Sequence, residues 1–257
     1  KSAAVCTWDG DVWIVSNIDD QLQKVKWKRF ATGLHEPLGL KIVDEKIYTV
    51  GDNQITRFHD FNNDGEADFL ENFNNDWDAT EGFHAFCFDL QTDPQGNFYF
   101  SMGCPVRAGG AGFERLGRHH GCILKISPSG DELSIFASGF RAPNGIGVGP
   151  NGEVTTGDNE GSFIPTAPLN WVKPGSFNGV IDSYRGDREF KSSPIAGYEE
   201  PYSNWGEYRR TFMNRPGFEH FPEEAPKPLV WMTKKRGVDN SDRKSTRLNS
   251  SHLVISY

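Results

Sequence analysis

Short stretches in which apolar and polar residues alternate run along most of the chain, with turn residues between them. Clear examples lie on both sides of Asp9-Gly10, Asp93-Pro94-Gln95-Gly96 and Pro150-Asn151-Gly152. Such alternation is typical of β-strands with one buried face, and glycine, asparagine and proline favour the turns that join them. No stretch sustains the period of an amphipathic helix. The pattern therefore predicts an all-β protein.

One part of this pattern occurs twice. The series Phe30-Ala31-Thr32-Gly33-Leu34, Pro37-x-Gly39-Leu40 and Gly51-Asp52-Asn53 returns 106 positions later as Phe136-Ala137-Ser138-Gly139-Phe140, Pro143-x-Gly145-Ile146 and Gly157-Asp158-Asn159. A weaker copy around Asp93-Pro94-Gln95-Gly96 lies between them. A period of roughly 50 residues with short, turn-linked strands is typical of a β-propeller. We expect four or five blades in this chain and six in the complete ring.

Two segments depart from this pattern. Residues 160–228 are rich in proline, glycine and aromatic residues but lack alternation, so we predict long loops there, followed by a strand at Lys227-Pro228-Leu229-Val230-Trp231-Met232. Residues 242–257 resemble the translation of a short-read sequencing adapter. We expect this tail to be an artefact, as an expression scar would be. Residues 1–241 would then form an incomplete propeller domain, with the natural chain continuing beyond Ser241.

Composition narrows the classes of partner. The chain has 257 residues, a formal net charge of −8 and 36% hydrophobic residues. The negative charge argues against nucleic acid or an anionic membrane as partner. No apolar stretch approaches the roughly 18 residues of a membrane span.

The cysteines offer no metal motif. Cys6, Cys87, Cys104 and Cys122 lack C-x-x-C spacing, which argues against a zinc site or a haem attachment within this piece. Cys87 and Cys104 would lie near opposite positions of one hairpin and could pair if the protein is exported. Buried free thiols are the alternative.

A calcium motif occurs near the first repeat. The series Asp60-x-Asn62-x-Asp64-Gly65 fits the start of a twelve-residue calcium loop, and Glu71 stands at its twelfth position. The predicted oxygen ligands are Asp60, Asn62, Asp64, Asp68 and Glu71. The flanks read as strands, which excludes an EF-hand. The alternative is an Asn/Asp/Gly turn that needs no metal.

Three segments resemble the glucose/sorbosone dehydrogenase family of β-propellers. They are Gly139-Phe140-Arg141-Ala142-Pro143-Asn144-Gly145-Ile146, Gly157-Asp158-Asn159-Glu160-Gly161 and Leu169-Asn170-x-Val172-Lys173-Pro174-Gly175-x-Phe177-Asn178-Gly179. The resemblance covers about residues 30–232 and is greatest to secreted bacterial propellers fused to c-type cytochrome domains. It implies pyrroloquinoline quinone (PQQ) and calcium as cofactors, a haem domain outside this piece, and a periplasmic or extracellular location.

The resemblance also implies roles for single residues. His84 stands where the family has its catalytic base, which takes the proton of a sugar hydroxyl while hydride leaves the carbon. Arg141 matches an arginine that holds the quinone, although Ala142 replaces the polar residue usual in the family. The loop that supplies carbonyl ligands to calcium is matched by Asp158, Asn159 and Gly161, and Ser162 departs from the family pattern.

Three functions remain open from the sequence. The first is a quinoprotein-like oxidoreductase that oxidises a carbohydrate or alcohol and passes electrons to a c-type haem domain. The second is a non-catalytic propeller that binds a glycan or a partner domain. The third is a gluconolactonase-like hydrolase, in which Asn144, also counted among the cofactor-binding candidates, holds a metal that activates water. Because propellers host unrelated functions, the fold does not choose between them.

Overall fold

The structure is a computed structural model that describes residues 1–80, 82, 84–106, 113, 114, 116–159, 167–178, 180, 230–232 and 253–256. Within these residues, sixteen strands form four four-stranded antiparallel sheets. The described residues include no helix long and apolar enough to cross a membrane. The prediction of an all-β fold is therefore confirmed.

We call the four sheets blades I to IV. Blade I contains β1 (Ser2–Cys6), β2 (Val12–Ser16), β3 (Lys26–Ala31) and β16 (Leu253–Ser256). Blade II contains β4 (Gly39–Val43), β5 (Lys46–Val50), β6 (Ile55–His59) and β7 (Phe69–Asn74). Blade III contains β8 (Cys87–Thr92), β9 (Phe98–Met102), β10 (Cys122–Ile126) and β11 (Leu133–Ala137). Blade IV contains β12 (Asn144–Val148), β13 (Val154–Gly157), β14 (Ala167–Val172) and β15 (Val230–Met232).

The blades are arranged around a common inner edge. Strands β16, β4, β8 and β12 begin the four sheets and contact one another in that order. Because neighbouring strands in each sheet are antiparallel, the loops between blades and the turns between second and third strands share one end of the ring. We call this end the upper face. The remaining turns, including that at residues 60–68 between β6 and β7, lie on the lower face.

The repeat in the sequence corresponds to this geometry. Each copy covers the end of one blade's last strand and the first two strands of the next blade: β3, β4 and β5 in residues 30–53, and β11, β12 and β13 in residues 136–159. The two copies therefore lie two blades apart. The prediction that four or five blades are present is confirmed, with four seen in the described residues.

Three apolar clusters pack the blades against each other. Between blades I and II lie Ala4, Val12, Leu40 and Phe58; between II and III, Val50, Ile55, Phe100 and Leu124; between III and IV, Tyr99, Ile123, Phe140 and Ile146. Burying a side chain of this kind stabilises the fold by about 1.5 to 3 kcal/mol relative to exposure. The alternation seen in the sequence thus places one face of each strand in an interface between blades.

One predicted loop region contains a strand. Residues 160–228 were expected to be loops throughout, but Ala167–Val172 forms β14. Apolar residues lie on both of its faces, because Leu169 and Trp171 are exposed while Val172 is buried on the same face as Asn170. Hydrophobicity therefore does not reveal the strand. The strand predicted at 227–232 is confirmed over Val230–Met232, and residues 160–166, 179 and 181–229 lie outside the described residues.

Part of the tail also pairs with the sheet. The backbone of Leu253–Ser256 joins the edge of β1, with Val254 opposite Ala4. An open strand edge accepts any extended segment, so the origin of residues 242–257 stays a prediction.

The four cysteines are buried thiols, and none forms a disulfide with another described residue. In the strand register, Cys87 and Cys122 both lie opposite Met102, so Cys87 does not face Cys104 as the hairpin pairing required. The Cys104 thiol instead lies 3.4 Å from the Phe140 carbonyl oxygen. Burial raises the pKa of Cys6 to about 12 and raises the pKa of Cys87 well above its usual value. Protonated, buried thiols of this kind are unreactive.

Candidate functional site

The upper face brings together the described residues that the resemblance assigned to the quinone site. His84 lies in the loop between β7 and β8, and Arg141 in the loop between β11 and β12. Asn144 begins β12, and Asp158 and Asn159 directly follow β13. The predicted residue Gly161 lies outside the described residues, as does Ser162, the departure from the family pattern.

His84 and Arg141 lie on two sides of one short segment. The His84 carbonyl oxygen packs so closely on Gly103 that a Cβ there would collide with it. The next amide, that of Cys104, donates to the Arg141 carbonyl oxygen at 2.7 Å. The His84 ring is half-buried, with its centroid 6.1 Å from that of Phe86, and its backbone is left-handed at φ 71°. A non-glycine residue in this conformation is uncommon and is held by its surroundings.

Asp158 fixes the loop that carries Arg141. Its carboxylate accepts hydrogen bonds from the backbone amides of Arg141 and Ala142, both at 2.9 Å, and of Asn159 at 2.7 Å. Asp158 is 3% exposed and Arg141 5% exposed. Hydrogen bonds to a carboxylate are stronger than those between neutral groups. The loop is therefore held in one conformation.

The Arg141 side chain is also fixed. One terminal nitrogen of its guanidinium donates to the Asn159 side-chain oxygen at 2.7 Å, and its central carbon lies 5.9 Å from the centre of the Phe113 ring. A guanidinium held in place against an aromatic ring can offer a permanent positive charge to a carboxylate or a developing oxyanion.

A residue that the sequence analysis did not single out positions the start of β12. The Asp89 carboxylate on β8 accepts hydrogen bonds from the amides of Gly145 at 2.6 Å and Ile146 at 2.8 Å. Asp89 is buried and left-handed at φ 58°. In the two strong repeat copies, the matching position is Gly39 or Gly145. Asp89 could therefore have been found from the sequence as an aspartate at a repeat position that holds glycine in both strong copies.

The predicted calcium loop lies on the lower face, away from these residues. The Asp60 carboxylate accepts hydrogen bonds from the amides of Asp64 at 3.2 Å and Gly65 at 2.8 Å. The Asp68 carboxylate accepts one from the amide of Phe61 at 2.7 Å, and the Asn62 side-chain oxygen one from the amide of Asp64 at 2.9 Å. These bonds close a turn of the kind that Asp and Asn form without metal.

Glu71, the predicted twelfth ligand, contacts two basic side chains. It lies on β7, and its two carboxylate oxygens each lie 2.6 Å from a nitrogen of Arg57 on β6. His59 Nε2 lies 2.5 Å from the same carboxylate. The hydrogen bond from Arg57 holds the pKa of Glu71 below its usual value.

The predicted calcium ligands are not arranged as a metal site in the structure. The described residues contain no group of three or more His, Cys, Asp or Glu side chains positioned to hold a metal ion. Calcium binding by Asp60, Asn62, Asp64, Asp68 and Glu71 stays a prediction, and the structure accounts for the motif as a turn.

Sequence comparisons identify no relative. No protein-family model matches the chain, and no curated protein matches its sequence.

Structural comparison shows the fold. A Trichoderma reesei carbohydrate-active enzyme of family AA12 matches at 15% identity over 67% of this chain and 49% of its own, with a TM-score of 0.54. A putative oxidoreductase (glucose dehydrogenase) of Thermus thermophilus matches at 17% identity over 69% and 61%, with a TM-score of 0.53. A structure described as a glucose dehydrogenase matches at 13% identity over 69% and 63%, with a TM-score of 0.51.

These matches confirm the predicted structural resemblance to sugar-dehydrogenase propellers. The chain spans between about half and two thirds of the length of each matched structure. At such low identity, the likeness is one of fold, and it carries no activity with it.

Proposed function

We propose that this chain is part of a quinoprotein-like oxidoreductase that oxidises a carbohydrate or alcohol. Its cofactors would be PQQ and calcium, its electron acceptor a c-type haem domain, and its location periplasmic or extracellular. The observation that supports the proposal is a pair of backbone contacts at the upper face. The His84 carbonyl packs on Gly103, and the Arg141 carbonyl accepts a hydrogen bond from the Cys104 amide, so both residues flank the same short segment.

The donor set fits an anionic quinone. PQQ carries carboxylates and a quinone, so it needs fixed positive charge and hydrogen-bond donors. Arg141, held by Asn159 and by the loop that Asp158 fastens, offers that charge without having to reorganise. Asn144 is half-buried at the start of β12 and adds a polar side chain to the same face. Arg141 and Asn144 would hold the quinone, and the loop at Asp158-Asn159 would hold calcium.

The chain's own part in the reaction is proton transfer and orientation. The chemistry that bound PQQ would supply is the acceptance of hydride, with its two electrons, from the substrate carbon. The substrate would lose that C–H bond and its O–H bond, and a C=O bond would form. The His84 imidazole would take the hydroxyl proton, a role that suits histidine side chains at neutral pH. The Arg141 guanidinium would stabilise the negative charge that develops during the reaction.

Reconstitution tests this proposal. The purified chain, and the same chain joined to its haem domain, would be titrated with PQQ in calcium-containing buffer, with tryptophan fluorescence as the measure of binding. Reduction of a dye by glucose would then be followed. We expect PQQ binding in both His84→Ala and wild type, and a loss of dye reduction of at least about 100-fold in His84→Ala.

His59→Gln is the matched control. His59 is a half-buried histidine at the end of β6, and it pairs with Glu71 on the lower face. The activity of the His59→Gln protein should stay within about twofold of wild type, since His59 lies on the lower face, away from the proposed site. Unchanged activity in His84→Ala would reject the role of His84. Failure of the wild type to bind PQQ would reject the quinoprotein and leave the binding propeller and the hydrolase.

A further inference from the structure

A second cluster of side chains lies on the upper face beside His84. Trp8 comes from the turn between β1 and β2, Glu36 from the loop between β3 and β4, Asp52 from the turn after β5, and Phe86 from the loop before β8. Three blades therefore contribute to it, and none of these side chains has a part in the chemistry proposed above.

A closed circuit of contacts holds the cluster together. The amide of Leu34 donates to the Gly10 carbonyl at 3.2 Å, which fastens the Trp8 turn to the loop that carries Glu36. The amide of Asp52 donates to the carbonyl of His35 at 3.4 Å. The Cys87 thiol lies 3.7 Å from the Asp52 carbonyl, and the neighbouring Phe86 ring returns to Trp8.

The aromatic pair leaves an indole open to solvent. The centroids of Trp8 and Phe86 are 5.1 Å apart, with the rings inclined at 73°. Trp8 is nevertheless 50% exposed. A large aromatic side chain that is held rigidly and left exposed gives a ligand contact area at a low cost in conformational entropy.

The two carboxylates lack partners within the described residues. Glu36 and Asp52 are both half-buried, and neither carboxylate accepts a hydrogen bond or an ion pair from the part of the chain that the structure describes. Burial raises the pKa of Asp52 to about 6, with Glu36 adding to the shift and His35 opposing it. Two neighbouring, partly desolvated negative charges repel each other, and a bound cation would relieve that cost.

We propose that Trp8, Phe86, Glu36 and Asp52 form a binding site for an organic ammonium ion. The open indole face attracts a cation through its quadrupole, and the carboxylates accept hydrogen bonds from N–H groups. The aromatic pair provides no ligand for a hard metal ion, because such an ion is bound by oxygen atoms.

The chain already contains such a contact elsewhere. The Lys173 ammonium lies 3.3 Å from the centre of the Trp171 ring. Trp171 is 42% exposed, much like Trp8 at 50%. None of the lysine or arginine side chains that the structure describes lies over the Trp8 ring. The Trp171 ring is therefore supplied with a cation by its own chain, whereas the Trp8 ring is half exposed and packs edge to face with Phe86.

Calorimetry with three small probes tests the inference on the full 257-residue chain at pH 7.5. Glucosamine joins a primary ammonium to a sugar ring, ethanolamine has the primary ammonium alone, and glucose has the ring alone. We expect glucosamine and ethanolamine to bind, with glucose binding at least about tenfold more weakly. A preference for glucosamine over ethanolamine of about tenfold would identify an amino sugar, and equal affinities a simple ammonium ligand.

Variants locate the site. Trp8→Ala should weaken glucosamine binding by about tenfold and Glu36→Gln by about threefold, with unfolding midpoints in urea close to wild type. Trp171→Ala, the matched control, should leave binding unchanged. Glucose binding as tightly as glucosamine, no binding of either amine, or amine binding insensitive to Trp8→Ala would each overturn the inference. It does not depend on the proposed oxidation, so amine binding without dye reduction leaves it standing.

Discussion

The two strong copies of the repeat share a backbone but fasten their upper-face loops differently. In residues 136–159, Asp158 binds the amides of the preceding loop at Arg141 and Ala142. In residues 30–53, the equivalent Asp52 follows a loop with His35 and Glu36 at those positions, and the contact is a long hydrogen bond from the Asp52 amide to the His35 carbonyl.

The difference decides what each aspartate can do. The Asp158 carboxylate accepts hydrogen bonds from three backbone amides, so its role is structural. The carboxylate of Asp52 accepts no hydrogen bond from the described residues, so its charge remains available to a ligand or a proton. A repeat that preserves the residue type therefore does not preserve its role.

The largest expected effect comes from Asp158→Ala. It would leave the amides of Arg141, Ala142 and Asn159 without their acceptor in a buried site. We expect a loss of about 3 kcal/mol in the free energy of unfolding, measured by urea denaturation. Asp52→Ala is the control, and it should cost less than about 0.5 kcal/mol. Equal losses at both positions would contradict the distinction between the copies.

Asp89→Ala tests the position where the middle repeat departs from both strong copies. The change removes the acceptor of the Gly145 and Ile146 amides and places alanine at φ 58°. We expect a loss of about 2 kcal/mol. Asp89→Asn keeps one side-chain oxygen and should lose about half as much in the same urea experiment. If alanine is tolerated as well as asparagine, Asp89 does not hold β12.

The fold could be predicted from the sequence because the repeat that marks successive blades consists of short local motifs. Turns such as Asp93-Pro94-Gln95-Gly96 and the recurrence of Gly-Asp-Asn depend only on residues close in the chain. Strand β14 was missed because both of its faces carry apolar residues, with Trp171 and Leu169 outward and Val172 buried beside Asn170. Which face is buried in such a strand depends on neighbours that the local sequence does not specify.

The candidate site was predictable only in part, because its contacts join loops that are distant in the sequence. The resemblance located His84 and Arg141, but their contacts with Gly103-Cys104 depend on how three upper-face loops pack together. Glu71 shows the same limit: its spacing predicts a calcium ligand, a prediction that stays untested, but does not reveal that strand register places it opposite Arg57. Cross-strand partners follow from register, which a one-dimensional motif does not contain.

Glycine substitutions test whether the two copies share their backbone. Gly33 and Gly139 occupy matching positions with φ 85° and 84°. A Cβ at Gly33 would meet no atom within 4 Å, so Gly33→Ala should cost only the strain of the left-handed conformation, about 1 to 2 kcal/mol. Gly139→Ala should cost at least as much. Thr32→Ala, an exposed neighbour, should change stability by less than about 0.5 kcal/mol. A Gly33→Ala protein as stable as wild type would argue against a common backbone.

The smallest expected effect is a pH dependence that belongs to one copy alone. Burial raises the pKa of Asp52 to about 6 in the folded protein, and the groups that act on it are His35 and Glu36, with Cys87 packed beside it. An unfolded chain has an aspartate pKa of about 3.9. The folded form therefore holds the proton more tightly, and the contribution of Asp52 to stability is greatest below about pH 4 and falls as the pH rises towards 6.

Because the Asp52 carboxyl is only half-buried, solvent screening limits this loss to about 1 kcal/mol. Urea unfolding at a series of pH values, with Asp52→Asn as reference, measures it as a difference. Wild type should lose stability relative to Asp52→Asn between about pH 4 and 7, since the uncharged amide cannot titrate. The sign is the decisive observation: a wild type that gains on the variant as the pH rises would mean that the folded protein stabilises the Asp52 carboxylate. Asp52 would then behave like Asp158, and the proposed difference between the aspartates of the two repeat copies would be wrong.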